Sequence, residues 1–296
     1  MRRLSGIFAP VVTTFDHRGE VTPDAFRANV RAHIAAGLHG IVVAGSTGEA
    51  PLLEEEERDR LVEWARHEVP QERWLIAGAG AESSRQTARR AARAAARGAD
   101  AVLVVAPHYF GSSMTAAALR AHYLHVADAS PVPLVLYNIP KYMHFALDPA
   151  LVAELAEHGN IAGIKDSSGD AALFGAYLAA QSQSFTVLTG NGAGLADALA
   201  RGARGGVLAV SLFAPELVLT VHDGEPASGD VRQAQAALAP LAREIVGGLG
   251  IPGVKAALEE AGLHGGPPRL PLLPLEAPQR DRVRELLRDA RAMAPA

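Results

Sequence analysis

The stretch Ile161-Ala162-Gly163-Ile164-Lys165-Asp166-Ser167-Ser168-Gly169-Asp170 contains the residue on which a reaction could be built. An apolar run precedes Lys165, and a turn-forming Asp-Ser-Ser-Gly follows it. Low dielectric penalises an ammonium, and a lysine made neutral by burial is a nucleophile that forms Schiff bases with carbonyl substrates. The same letters also fit a lysine that leaves the strand for water or pairs with Asp166. This stretch alone does not separate the two readings.

Such a lysine needs a scaffold that delivers it to a shared cavity. Apolar β-type runs alternate with longer helical patterns along the chain. They predict strands at 7–12, 40–43, 74–78, 101–105, 133–137, 161–165, 185–189 and 205–210. The runs are continuously apolar, as expected of parallel strands covered on both faces. Eight βα units over roughly two hundred residues is the count of a TIM barrel, an α/β fold. An open doubly wound sheet is the alternative, but no G-x-G-x-x-G turn follows the first strand. Beyond Pro215 the strand pattern ends. Helices are expected at 216–221, 230–246, 252–261 and 277–293, with a break at Gly247-Gly248. The expected organisation is a catalytic barrel over residues 1–225 and a C-terminal helical extension over 226–296.

Composition narrows the function classes. A formal net charge of −4 over 296 residues gives no electrostatic footprint for nucleic acid or an anionic membrane. The absence of cysteine rules out disulfides, thiolate catalysis and cysteine metal sites. The basic start Met1-Arg2-Arg3 is followed by too short an apolar run before Pro10 to be a secretory core. No apolar stretch is long enough to span a bilayer, so a cytoplasmic protein is expected. The acidic run Glu54 to Glu57 and the arginines of 84–97 read as solvated helix faces. His122 and His125 lie three apart on a predicted helix with no evident third ligand, so packing or surface roles are expected.

In a TIM barrel the chemistry sits at the C-terminal ends of the strands. Here those ends carry Gly45-Ser46-Thr47-Gly48-Glu49, Pro107-His108-Tyr109-Phe110, Tyr137-Asn138-Ile139-Pro140, Lys165, Thr189-Gly190-Asn191-Gly192 and Ser211. Hydroxyls, phenols and one amine converge, without a carboxylate pair. That set suits carbonyl chemistry through an iminium, in which the protonated imine is the electron sink for making or breaking a C–C bond. Tyr137 could move protons. The backbone N–H groups and hydroxyls of Ser46, Thr47 and Gly48 could hold a carboxylate. Ordinary readings stand beside these: a plain strand-to-helix turn at 45–49, a strand-end aromatic at 137, and a phosphate cradle in the late glycines.

These residues, in this order and on these strands, resemble the dihydrodipicolinate synthase/N-acetylneuraminate lyase family of pyruvate-using class I aldolases. The likeness also includes Pro10-Val11-Val12-Thr13 and Pro252-Gly253-Val254-Lys255-Ala256-Ala257-Leu258, and so covers nearly the whole chain. The resemblance implies Lys165 as the Schiff-base lysine, Tyr137 as the catalytic tyrosine, and Ser46 and Thr47 as the hydroxyl pair for the pyruvate carboxylate and proton relay. It implies that Tyr109 enters a neighbouring subunit's site, hence a homotetramer built as a dimer of dimers. It implies no cofactor beyond the covalent lysine imine, and pyruvate and an aldehyde as small-molecule partners.

Departures from the synthase pattern bear on the substrate. The position that carries an arginine for the aldehyde's carboxylate in true synthases is Tyr142, and a neutral phenol cannot replace a bidentate guanidinium. The feedback-lysine positions differ too, with Glu55, Arg58, Glu82 and His108, so no lysine inhibition is expected. The sialic-acid lyase's acidic pair is replaced by Asn191-Gly192. A second-substrate pocket formed by His108, Tyr142, His144 and Phe213, with Asn191 and Ser211 nearby, is expected to be partly aromatic and short of fixed positive charge. The preferred expectation is a lyase that cleaves or forms a 2-oxo acid of the 2-keto-3-deoxy sugar acid type. Dihydrodipicolinate synthase itself is the alternative, and a non-catalytic keto-acid-binding barrel is a third.

Overall fold

Eight short apolar segments form the strands of the computed structural model, which describes residues 3–295. Met1, Arg2 and Ala296, which the sequence-based organisation included, lie outside the described residues. The strands are β1 (Gly6–Pro10), β2 (Gly40–Val43), β3 (Trp74–Gly78), β4 (Ala101–Val105), β5 (Leu134–Asn138), β6 (Ile161–Asp166), β7 (Thr186–Thr189) and β8 (Gly205–Val207). Each pairs in parallel with the next, and β8 pairs back onto β1 to close the barrel. Both faces of the sheet are covered, which is why the runs are continuously apolar rather than alternating. Closure depends on glycine: Gly205 lies opposite Gly6 at φ +133°, where an added Cβ would come within 2.0 Å of the Gly6 carbonyl oxygen.

The outer layer is α1 (Pro23–Ala35), α2 (Glu55–Glu68), α3 (Ser84–Ala96), α4 (Ala116–Ala129), the one-turn α5 (Pro140–Met143), α6 (Pro149–Leu155), α7 (Ala171–Leu178), α8 (Leu195–Ala200) and α9 (Pro215–Asp223). The acidic start of α2 is not the solvated turn that its sequence suggests. Glu54 and Glu57 form a capping box, and Glu55 pairs with Arg90 of α3. Asp59 binds both Arg93 and Arg97. The charged faces of α2 and α3 therefore meet each other, and half-exposed pairs of this kind contribute at most about 1 kcal/mol each.

The C-terminal segment also departs from expectation. α10 (Gly229–Pro240) does not end at the glycine pair but passes into a π-helical segment, Leu241–Leu249, which leads directly into α11 (Gly250–Glu260). Pro240 lacks the N–H that would bond back along an α-helix, and the wider turn follows from that point. α12 (Ala277–Met293) packs on α10 and α11, which seals the extension against the barrel. Among the described residues, no helix is long and apolar enough to cross a membrane.

Two histidines in this layer make stability depend on pH. Burial pushes His33 on α1 and His122 on α4 down to about 4, from the usual 6.5. The unfolded chain takes up these protons near 6.5 and the folded chain does not, so stability is complete above 6.5 and is lost as pH falls toward 4. Each histidine costs about 1.4 kcal/mol per pH unit inside that window. Urea unfolding between pH 7 and 5 is expected to show a falling midpoint. A double His33→Gln, His122→Gln variant is expected to flatten that fall.

Candidate active site

Lys165 and Tyr137 come together because β5 and β6 are neighbours in register, with Tyr137 directly opposite Lys165. Both are buried, with only 6% and 4% of their surfaces exposed. The lysine Nζ stands over the phenol ring, 4.2 Å from its centroid, within the range at which an aromatic face attracts an ammonium. Thus Lys165 neither leaves the strand for open water nor pairs with Asp166.

Asp166 points to the other side of the strand, as alternation requires. Its carboxylate accepts hydrogen bonds from Asn138 Nδ2 at 2.7 Å and from the Ser168 hydroxyl at 2.8 Å. Burial raises the Asp166 carboxyl, against hydrogen bonds that favour its ionised form. Asn138 also accepts the Leu147 N–H through Oδ1. This Asn138–Asp166 link fixes the ends of β5 and β6 one residue beyond Tyr137 and Lys165 and so locks their relative height.

Space beside the lysine is provided by Gly190, just past β7. A Cβ there would lie 1.9 Å from the Ser167 hydroxyl oxygen and 3.1 Å from Lys165 Cε. Across the barrel mouth, the turn after β2 presents Ser46 and Thr47. It is closed by Glu49 N–H donating to the Ser46 carbonyl at 3.1 Å and Ala50 N–H donating to the Gly45 carbonyl at 3.1 Å. The buried Thr13 hydroxyl donates to the Gly48 carbonyl at 2.7 Å.

Lys165, Tyr137, Ser46, Thr47, Tyr142 and Asn191 all line one cavity of about 250 Å³. Burial and the neighbouring Tyr137 raise the Tyr142 phenol, which keeps it neutral. Tyr142 and Ser46 also border an adjoining chamber of about 510 Å³ that contains Arg58, Glu82 and His108. Gly48 sits beneath the turn with its carbonyl engaged by Thr13, outside the cavity lining.

Other expected residues lie elsewhere. Tyr109 is 79% exposed and packs edge-on against Phe110, with its backbone N–H held by Glu82 at 2.9 Å. Ser211 is fully buried in a 3₁₀ turn, and its hydroxyl donates to the Leu208 carbonyl at 2.7 Å. Phe213 is buried in a separate cavity between α1, α9 and α12. Of the expected aromatic pocket, Tyr142 and His108 share the adjoining chamber, whereas His144 and Phe213 line neither it nor the cavity with Lys165. Only Tyr142 of the four reaches the cavity with Lys165.

Lys141, Ser167, Val246 and Gly247 form walls that sequence reasoning missed. Lys141 extends from α5 to donate to the Gly247 carbonyl at 3.1 Å, so the cavity does contain a cation near its mouth. The signal was the lysine beside Tyr142, within a motif read for the tyrosine alone.

Among the described residues, one trio with metal-ligand chemistry, His39, His222 and Asp223, clusters away from this mouth. His39 Nδ1 accepts the Ile7 N–H at 3.1 Å, which puts the neutral ring's proton on Nε2 and leaves no lone pair for a metal.

The model of the dihydrodipicolinate synthetase family matches residues 3–290. The 4-hydroxy-tetrahydrodipicolinate synthase of Xanthomonas axonopodis pv. citri is 38% identical over 298 residues, covering 98% of this chain and 96% of that protein. The solved dihydrodipicolinate synthase of Acinetobacter baumannii, in complex with pyruvate, is similar with a TM-score of 0.90 and 32% identity, covering 97% of this chain and 98% of that one. A solved monomeric dihydrodipicolinate synthase variant is similar with a TM-score of 0.90 and 29% identity, covering 97% of each chain. A match along nearly the entire chain, carried by the same closed barrel, makes this protein a member of the dihydrodipicolinate synthetase family and a carbon–carbon lyase.

Proposed function

We propose that Lys165 forms an imine with the C2 carbonyl of a 2-oxo acid, and that the enzyme cleaves or forms the C3–C4 bond with pyruvate as the common component. The placement of the buried Lys165 amine against Tyr137, in one cavity with Ser46 and Thr47, is the observation that carries this reading. The amine adds to C2 and water leaves, giving a protonated imine. Loss of the C4 hydroxyl proton drives the C3–C4 electron pair into the imine, releasing an aldehyde and leaving an enamine. Protonation at C3 and hydrolysis then return pyruvate and free lysine. Tyr137, whose ring lies against the nitrogen, carries the proton, and the Ser46–Thr47 turn holds the C1 carboxylate. No cofactor takes part beyond the covalent imine.

For the second substrate we favour the neutral polyol aldehyde of a 2-keto-3-deoxy sugar acid, because Tyr142 offers a neutral phenol to that end of the cavity. Dehydration of such an acid through the same imine is a close variant. Dihydrodipicolinate synthase activity, joining pyruvate to aspartate semialdehyde, is the second reading. Two observations favour it: the named relatives and the Lys141 ammonium at the cavity wall. A binding-only barrel is disfavoured because both the lysine and the tyrosine stand in place. We further propose that the enzyme is cytoplasmic and a homotetramer, a dimer of dimers in which the exposed Tyr109 enters a second copy's site. The exposed Phe110, Leu270 and Leu273 offer apolar surface for such contacts.

Pyruvate release from 2-keto-3-deoxy sugar acids, followed with lactate dehydrogenase, tests the preferred substrate. Appreciable condensation with aspartate semialdehyde by the unaltered enzyme would overturn it. If the missing guanidinium is the cause, Tyr142→Arg is expected to raise kcat/KM for aspartate semialdehyde about tenfold to a hundredfold, the worth of one charge-assisted contact.

A further inference from the structure

The buried ion pair between Glu49 and Lys255 closes the carboxylate-binding turn from behind. Lys255 Nζ lies 2.6 Å from Glu49 Oε1, with side-chain exposures of 2% and 0%. We infer that this pair makes the C-terminal extension a positioning device for the Ser46–Thr47 turn and thereby sets pyruvate affinity. The inference rests on the reading that this turn holds the pyruvate carboxylate.

Glu49 is the last residue of the turn, in the left-handed region at φ +59°, a conformation that a non-glycine residue keeps only when its surroundings impose it. Its backbone is held within the loop by Ser46 and Leu52, and its side chain is held by the extension. Besides Lys255 on α11, the backbone N–H of Arg269 donates to Glu49 Oε2 at 2.8 Å. Lys255 Nζ in turn donates to the Pro267 carbonyl at 2.8 Å and stands 4.7 Å from the Phe15 ring centroid. The Arg269 side chain anchors that loop to the barrel through Glu57 and the carbonyls of Gly19 and Leu52.

A buried pair is weak support for stability, since well-packed apolar residues of similar volume do as well. It does fix position. Glu49 Oε2 accepts a hydrogen bond from the extension and Oε1 meets Lys255 Nζ as an ion pair, so α11 and the 267–269 loop add an outer brace to the hydrogen bonds that the turn makes within the barrel. α11 also lines the cavity through Gly250, Ile251 and Val254. One element therefore forms a wall and braces the turn on the other side of it.

The test is borohydride trapping of pyruvate on Lys165 as a function of pyruvate concentration. It is run in the unaltered protein, in Lys255→Met, and in the neutral Glu49→Gln, Lys255→Met double variant, with folding checked by circular dichroism. Half-saturating pyruvate is expected to rise about tenfold to a hundredfold in the folded variants, as for a misplacement of about 1 Å. The adduct yield at saturating pyruvate is expected to stay near that of the unaltered protein. An unmoved half-saturation point, with or without a lower yield, would overturn the inference while leaving the imine reading intact. No adduct on the unaltered protein would overturn both. If Lys255→Met does not fold, the double variant decides. Failure of both to fold would show that the pair serves the fold rather than the turn.

Discussion

Replacing Lys165 by alanine is expected to lower kcat/KM by on the order of 10⁴ or more, the scale seen when a covalent nucleophile is removed. The fold should survive, because truncation leaves β6 paired to β5 and β7 by backbone bonds and leaves the Asn138–Asp166 link intact. The measurement is pyruvate release at saturating substrate, with thermal unfolding run in parallel. Loss of turnover with an unchanged unfolding midpoint is the expected pair of results. Retained turnover would remove the imine from the mechanism altogether.

Tyr137→Phe is expected to separate imine formation from proton transfer. The ring lies under Lys165 Nζ at 4.2 Å, and phenylalanine keeps that face while deleting the hydroxyl. A positioned general acid or base is worth about 10² to 10⁴ in rate, so kcat should fall by that range. Pyruvate should still be trapped on Lys165, more slowly. Steady-state kinetics beside time-resolved trapping distinguish the two effects. A variant with unchanged kcat would place proton transfer on another group, and Ser46 would be the first to examine.

The strands were legible because each is covered on both faces, so apolar runs alone mark them. That Tyr137 and Lys165 stand on neighbouring strands followed from the strand order, since sequential parallel strands in a barrel are neighbours; their register, set past an irregularity at Leu134/Val135, did not. Features that depend on distant partners were not legible. Glu55 and Asp59 of α2 find arginines more than thirty residues away on α3, and composition cannot show that two charged faces meet. Ser211 was expected at the end of a longer strand. β8 instead stops at Val207, and the next turn folds the hydroxyl inward. Phe213 follows that turn and packs between the barrel helices α1 and α9 and the extension's α12. Gly247-Gly248 looked like a helix break, yet the π-helical turn after Pro240 carries the glycines along the cavity wall, where Gly247 receives Lys141. The turn residues Ser46 and Thr47 could be named from their strand end. What holds them, Glu49 against Lys255, joins positions more than two hundred residues apart.

The most direct test of the imine is borohydride reduction in the presence of pyruvate, followed by intact-mass and peptide mass spectrometry. The proposed chemistry predicts one pyruvate-sized adduct per chain, located on the peptide containing Lys165 and absent from Lys165→Ala. A folded, unmodified protein after reduction, or an adduct on another lysine, would contradict it.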